Sequence, residues 1–106
     1  MHRSGLSAAI VVMLMCGGVS AAVADCREDH EAADQNVRRT RAGIEKLADG
    51  TDAAKCAAYR RYVAALGVQR SVIERCDGGS NRAQNVSAID TGIAEYNKRA
   101  EAICRK

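Results

Sequence analysis

Four cysteines fall in mirror-image pairs about two glycine-containing turns, and this pattern constrains the fold more than any other feature of the chain. Cys26 and Cys76 are equidistant from residue 51, in the turn Asp49-Gly50-Thr51. Cys56 and Cys104 are equidistant from residue 80, in the turn Asp77-Gly78-Gly79-Ser80. A helix that folds back on itself at each turn brings both pairs together.

The fifth cysteine, Cys16, lies in a segment of another kind. His2 and Arg3 form a short basic start, an apolar run extends from Leu6 through Val12 to Met15, and Gly17-Gly18 break it. Ala22-Val23-Ala24 then supplies an A-x-A cleavage site before Asp25. The apolar run is too short to span about 30 Å of hydrocarbon. A lipid-attachment site at Cys16 would want a small residue where Met15 stands. The expected organisation is a signal peptide over 1–24 and one domain over 25–106. The A-V-A site and the Ala- and Arg-rich composition point to a bacterial source.

Cleavage removes 24 of the 106 residues and leaves 82 with four cysteines. An even cysteine count in a short exported chain reads as a disulfide framework, which places the protein in the periplasm or outside the cell. Fifteen of the 16 basic residues and all 13 acidic ones remain, a net charge of +2. That is too near neutral to argue for a nucleic-acid partner. A chain of this size buries only about 60% of its unfolded surface. It has no Trp and no Phe, so the interior must be built from Ala, Val, Ile, Leu and Tyr. Such a domain depends on staples.

The mature region has no proline and is rich in Ala, Arg, Glu, Gln and Lys, which favour helix. Apolar residues recur at helical spacing in three segments. The first covers about 25–48, with the stripe Cys26, His30, Ala33, Val37, Thr40, Ile44, Leu47. The second covers about 52–76 and carries two stripes: Cys56, Tyr59, Val63, Leu66, Arg70, Ile73, and Tyr62, Ala65, Gln69, Val72, Cys76. The third covers about 82–105, with Val86, Ile89, Ile93, Tyr96, Ala100, Ile103. Two stripes on the middle helix imply two neighbours. Gly50 suits the left-handed position after a helix end, Thr51 or Asp52 can cap the second helix, and Asn81 with Gln84 resembles a capping box for the third. Both connections are short, so consecutive helices are expected to run antiparallel.

Geometry selects the cross-links. Cys56 and Cys76 lie at opposite ends of one helix, about 30 Å apart, whereas a disulfide needs Cα atoms within about 7 Å. This excludes Cys56–Cys76 and, with it, Cys26–Cys104. Cys26 and Cys56 would lie at opposite ends of an antiparallel hairpin. The remaining solution is Cys26–Cys76 with Cys56–Cys104. The expected fold is all-α: three antiparallel helices stapled by two disulfides. On a straight second helix Cys56 and Cys76 project about 200° apart, and coiled-coil supercoiling narrows the gap to about 100°. The first value gives a splayed double hairpin and the second an up-down-up bundle.

Few residues suggest chemistry. His30 is the sole histidine after cleavage, and Glu28, Asp29, Glu31 and Asp34 surround it. His30 and Asp34 share a face at i, i+4 and are the weak candidates for copper or zinc ligation. No second histidine or free thiol joins them, and acids in a first helical turn complement the helix dipole. Arg38, Arg39 and Arg41 on the first helix, with Arg60 and Arg61 on the second, form a basic band about the hairpin. In that register residue 41 faces residue 61, and Tyr59 and Tyr62 are near. Arginine suits bidentate contacts to phosphate or carboxylate. Gly43 faces Tyr59, and Gly67 and Gly92 are read as points of close helix approach. Asn85-Val86-Ser87 fits a glycosylation sequon inside a helix.

No nucleophile elbow, phosphate loop or zinc-protease helix occurs, and no C-x-x-C supports thiol redox catalysis. The expectation is a non-enzymatic interaction module with no cofactor: an inhibitor, adaptor or chaperone-like protein whose partner is another protein of the envelope or exterior. One alternative is a small-ligand or metal carrier using His30. The other is an envelope-associated protein binding anionic lipid or polysaccharide through the arginine band.

Overall fold

The computed structural model describes residues 25–106. The signal segment expected over 1–24, its cleavage site and Cys16 lie outside the described residues. Among those described, the chain forms a helical bundle of three helices without strands. Helix α1 covers 25–46, α2 is Asp52–Cys76 and α3 is Gly79–Cys104. None of them is long and apolar enough to cross a membrane.

The staples are Cys26–Cys76, with Cα atoms 5.7 Å apart, and Cys56–Cys104, at 5.0 Å. The first ties the start of α1 to the last residue of α2. The second ties the first turn of α2 to the last residue of α3. Arg75 Nη2 reaches Asp29 at 2.7 Å beside the first staple, and Arg70 Nε reaches Asp90 at 2.5 Å across α2 and α3.

Each periodic stripe lies on a covered face: every member is buried or half-buried. The core is uneven. Of eight buried apolar residues, Ala58, Tyr62, Ala65, Leu66, Val72 and Ile73 belong to α2, while α1 and α3 contribute Ala33 and Ala100 alone. The middle helix is therefore the structural centre. Ala58, 2% exposed, continues the stripe of Tyr62 and Ala65 backwards by four residues, the periodicity that would have found it.

Around α2, the positions beside α1 (Ala58, Arg61, Val68, Val72, Cys76) and those beside α3 (Cys56, Tyr59, Tyr62, Leu66, Arg70) are centred about 130° apart. That lies between the straight-helix and supercoiled expectations. The outer helices flank α2 without closing over it, which is why the core is thin.

All three tyrosines of the chain meet on the α2–α3 seam. Tyr62 and Tyr96 stack edge to face with centroids 4.6 Å apart, Tyr59 lies 6.0 Å from Tyr96, and the Arg99 guanidinium sits 4.8 Å over the Tyr96 ring. Edge-to-face pairs of this kind contribute about 1 kcal/mol beyond area burial. In a chain without Phe or Trp they are the main aromatic contribution to the interior.

The turns depart from expectation in several details. Thr51 caps α2 as expected: its Oγ1 accepts from Ala54 N at 3.1 Å. Gly50 does not adopt a left-handed conformation; among the described residues the positive-φ glycine is Gly79, at +59°. Tight i→i+3 bonds close the end of α1 instead, including Gly50 N to Leu47 O at 2.9 Å. Gly50 is needed for space, because a Cβ there would stand 3.1 Å from Leu47 Cδ2 and 3.2 Å from Leu47 O. The third helix starts at Gly79, earlier than about 82, and no Asn81–Gln84 capping box forms. Its cap residue, Gly78, offers no side chain. Asp77 does the polar work: its carbonyl accepts from Arg82 Nε at 2.8 Å and its carboxylate from Asn85 Nδ2 at 2.9 Å.

The glycine expectations are also corrected. A Cβ on Gly43 or Gly67 would meet no neighbour within 4 Å, so neither marks a close approach, and Gly43 makes no room for the Tyr59 ring. The Tyr59 ring turns towards Tyr96 on α3 instead. Gly92 does pack, with Leu66 Cδ1 3.6 Å from where its Cβ would stand.

Candidate functional site

The five arginines of the expected basic band are exposed but do not share one surface. Arg38 points away from the hairpin and pairs with Asp34 along α1 at 2.9 Å. Arg60 is likewise on an outward-facing position of α2. Arg41 lies near Tyr62, where its charge opposes the burial that pushes the Tyr62 hydroxyl up; Tyr96 and Glu95 add to the upward shift. Arg39 and Arg61 come together: they line one cleft of about 300 Å³ with Asn36, Thr40, Gly43 and Ala58. Arg61 thus faces Arg39 and Thr40, not Arg41. A one-residue offset matters on a helix because it turns a side chain by about 100°.

Charge pairing separates these residues from the other arginines. Arg70 pairs with Glu74 and Asp90, Arg75 with Asp29, Arg99 with Glu95 and Arg105 with Glu101. Hydrogen bonding to Arg70 holds the Asp90 carboxyl below the ordinary carboxylate range. Among the described residues, Arg39, Arg41, Arg60 and Arg61 make no ion pair. Arg39 Nη2 has only the neutral Asn36 Oδ1, at 3.3 Å. Two guanidinium groups without a carboxylate, in one cleft, present several directed donors to an anion.

The histidine has a different setting. His30 Nε2 lies 3.1 Å from Asp77 Oδ1, and Asp77 also accepts from Asn85. The three side chains link α1, the α2–α3 connection and the first turns of α3. Asp34 is engaged by Arg38, so the two weak metal candidates face different partners. Among the described residues no group of three His, Cys, Asp or Glu side chains comes together. The sequon asparagine, Asn85, is exposed on α3 and occupied by Asp77.

Three further hollows complete the surface. Near the Cys56–Cys104 staple, Asp52, Ala53, Ile103 and Lys106 border one of about 360 Å³. Ile44, Leu47, Tyr59 and Ile103 enclose a smaller one of about 180 Å³ where all three helices meet. Asp29, Ala32, Ala33, Asn36, Val68, Val72 and Arg75 border the third, of about 410 Å³. None assembles a nucleophile with a base. Comparison with protein families, curated proteins and solved structures finds no match to this chain.

Proposed function

We propose that this chain is a small exported, non-enzymatic interaction module of the periplasm or cell exterior. In this reading a signal peptide over 1–24 is removed, three antiparallel helices form an up-down-up scaffold, and the α1–α2 face binds another protein. The observation that carries it is the pair Arg39 and Arg61, two arginines without acidic partners in one cleft, on a scaffold whose other arginines are largely paired. Unpaired guanidinium groups held side by side are suited to a partner's carboxylates. The two disulfides agree with an oxidising, non-cytoplasmic compartment.

The test is copurification from the native envelope fraction, comparing wild type with the triple variant Arg38→Gln, Arg39→Gln, Arg61→Gln. All three positions are exposed, so the variant should keep its fold to within about 0.5 kcal/mol. A protein partner retained by wild type, released by salt and lost from the variant is the expected result. Bound metal or small molecule would turn the reading towards a carrier, and bound lipid or polysaccharide towards an envelope coat. Wild type that retains nothing at low salt refutes the module reading.

A further inference from the structure

The Arg39–Arg61 cleft is one half of a longer feature. Asn36 borders both this cleft and the hollow that contains Val68, so the two form a continuous groove along α1 and α2. The halves differ in character. Val68 is 53% exposed, the large hydrophobic residue that the fold leaves uncovered among the described residues. It sits with Ala32, Ala33 and Val72, whose short side chains leave a depression beside it. At that end the one cation, Arg75, is already neutralised by Asp29 at 2.7 Å. At the other end Arg39 and Arg61 have no acidic partner. Seven residues, or two helical turns, separate Val68 from Arg61, a distance of about 10 Å.

We propose that this groove docks a peptide segment of a partner protein, one that presents a bulky apolar side chain and a carboxylate about 10 Å apart. The apolar side chain covers Val68 and rests on Ala32, Ala33 and Val72. The carboxylate lies between the Arg39 and Arg61 guanidinium groups. Between them, Asn36 accepts from Arg39 through its Oδ1 and keeps its amide donors for a peptide carbonyl.

Two further features favour such an occupant. Gly43 borders the cationic half, yet neither packing nor a positive φ requires glycine there. In a helix interior glycine costs about 1 kcal/mol relative to alanine, and its missing side chain keeps that end open. The apolar end carries the Asp29 carboxylate, 42% exposed. A continuous anionic surface laid along the groove would meet that charge, whereas a peptide with a single acid at the right distance meets only arginine.

The inference rests on the interaction-module reading and commits it to one surface and one partner chemistry. The test selects a random-peptide display library on the full oxidised chain and remeasures the selected peptides in solution by fluorescence anisotropy. Selected sequences should combine a bulky apolar residue with Asp or Glu. Val68→Ser should weaken them about tenfold, as loss of a central apolar contact does. The double variant Arg39→Gln, Arg61→Gln should weaken them to a similar degree and remove most of the salt dependence. Arg60→Gln, on an outward position, should change nothing. Circular dichroism and disulfide mapping verify each fold, and Val68→Thr, nearly isosteric, replaces Val68→Ser should the latter be perturbed.

An absence of selected peptides overturns the proposal. So do peptides lacking an acid, or peptides indifferent to both groove variants. Binding to phosphatidylglycerol vesicles that depends on the arginines but not on Val68 would assign the face to a lipid surface instead. A protein partner retained from the envelope alongside peptides that ignore the groove would leave the module reading standing and overturn this inference alone.

Discussion

Removing the Cys56–Cys104 bond, by the paired change Cys56→Ala and Cys104→Ala, tests how much of this fold rests on its staples. The bond joins residues 48 apart in sequence. Closing a loop of that length in the unfolded chain costs about 4 kcal/mol in the chain-entropy treatment. Little packing is available to replace the constraint on α3. Ala100 is its one buried residue, and Val86, Ile89, Ile93 and Tyr96 are half-covered. For a domain of this size each kcal/mol shifts the melting temperature by about 4–8 °C, so the expected fall is about 15–30 °C. Hydrogen exchange gives a finer readout. With the bond gone, α3 amides should exchange through local opening while the α1–α2 pair, still held by Cys26–Cys76, stays protected. A loss under about 1 kcal/mol, or uniform loss of protection in all three helices, would refute the view that α3 is held mainly by its staple.

Other outcomes follow from the packing and the charges. Leu66 is 5% exposed and meets Gly92, so Leu66→Ala should cost about 2–3 kcal/mol in urea denaturation, at the low end of core truncations because the core is thin. Gly43→Ala should stabilise by up to about 1 kcal/mol, whereas Gly50→Ala should destabilise, since its Cβ would press on Leu47; paired melting curves separate the two. Burial raises the Tyr62 hydroxyl above its ordinary value, so its contribution is complete below the unfolded value near 10 and lost as pH rises through the folded value. Tyr62→Phe should flatten that alkaline limb. Hydrogen bonding to Arg70 lowers Asp90, so its contribution is present above the unfolded value near 4 and lost as pH falls through the folded one; Asp90→Asn should flatten the corresponding acid limb.

The sequence by itself determined the helices, their covered faces and the cross-links. Those features depend on local periodicity and on distances along a regular helix, and both can be read residue by residue. The symmetric cysteine spacing left one sterically allowed pairing, and the structure has it. Thr51 announced its cap because the capping bond to Ala54 spans three residues.

The tertiary structure alone decided how the turns close and which surface residues meet. Gly50 and Gly79 are both turn glycines, and nothing local says that only Gly79 takes a positive φ. That choice depends on whether the preceding carbonyls find partners elsewhere, as those of α1 do through i→i+3 bonds. His30 reaches Asp77 across 47 positions of sequence, a pairing set by where the Cys26–Cys76 staple holds α1. The arginines make the same point. Arg39, Arg41, Arg60 and Arg61 read as a single band, but each step along a helix rotates a side chain by about 100°. The angle at which α1 meets α2 then determines that Arg39 and Arg61 share a cleft while Arg41 turns to Tyr62. Interhelix orientation is a sum of many weak packing contacts over the whole interface, and no short stretch of sequence contains it.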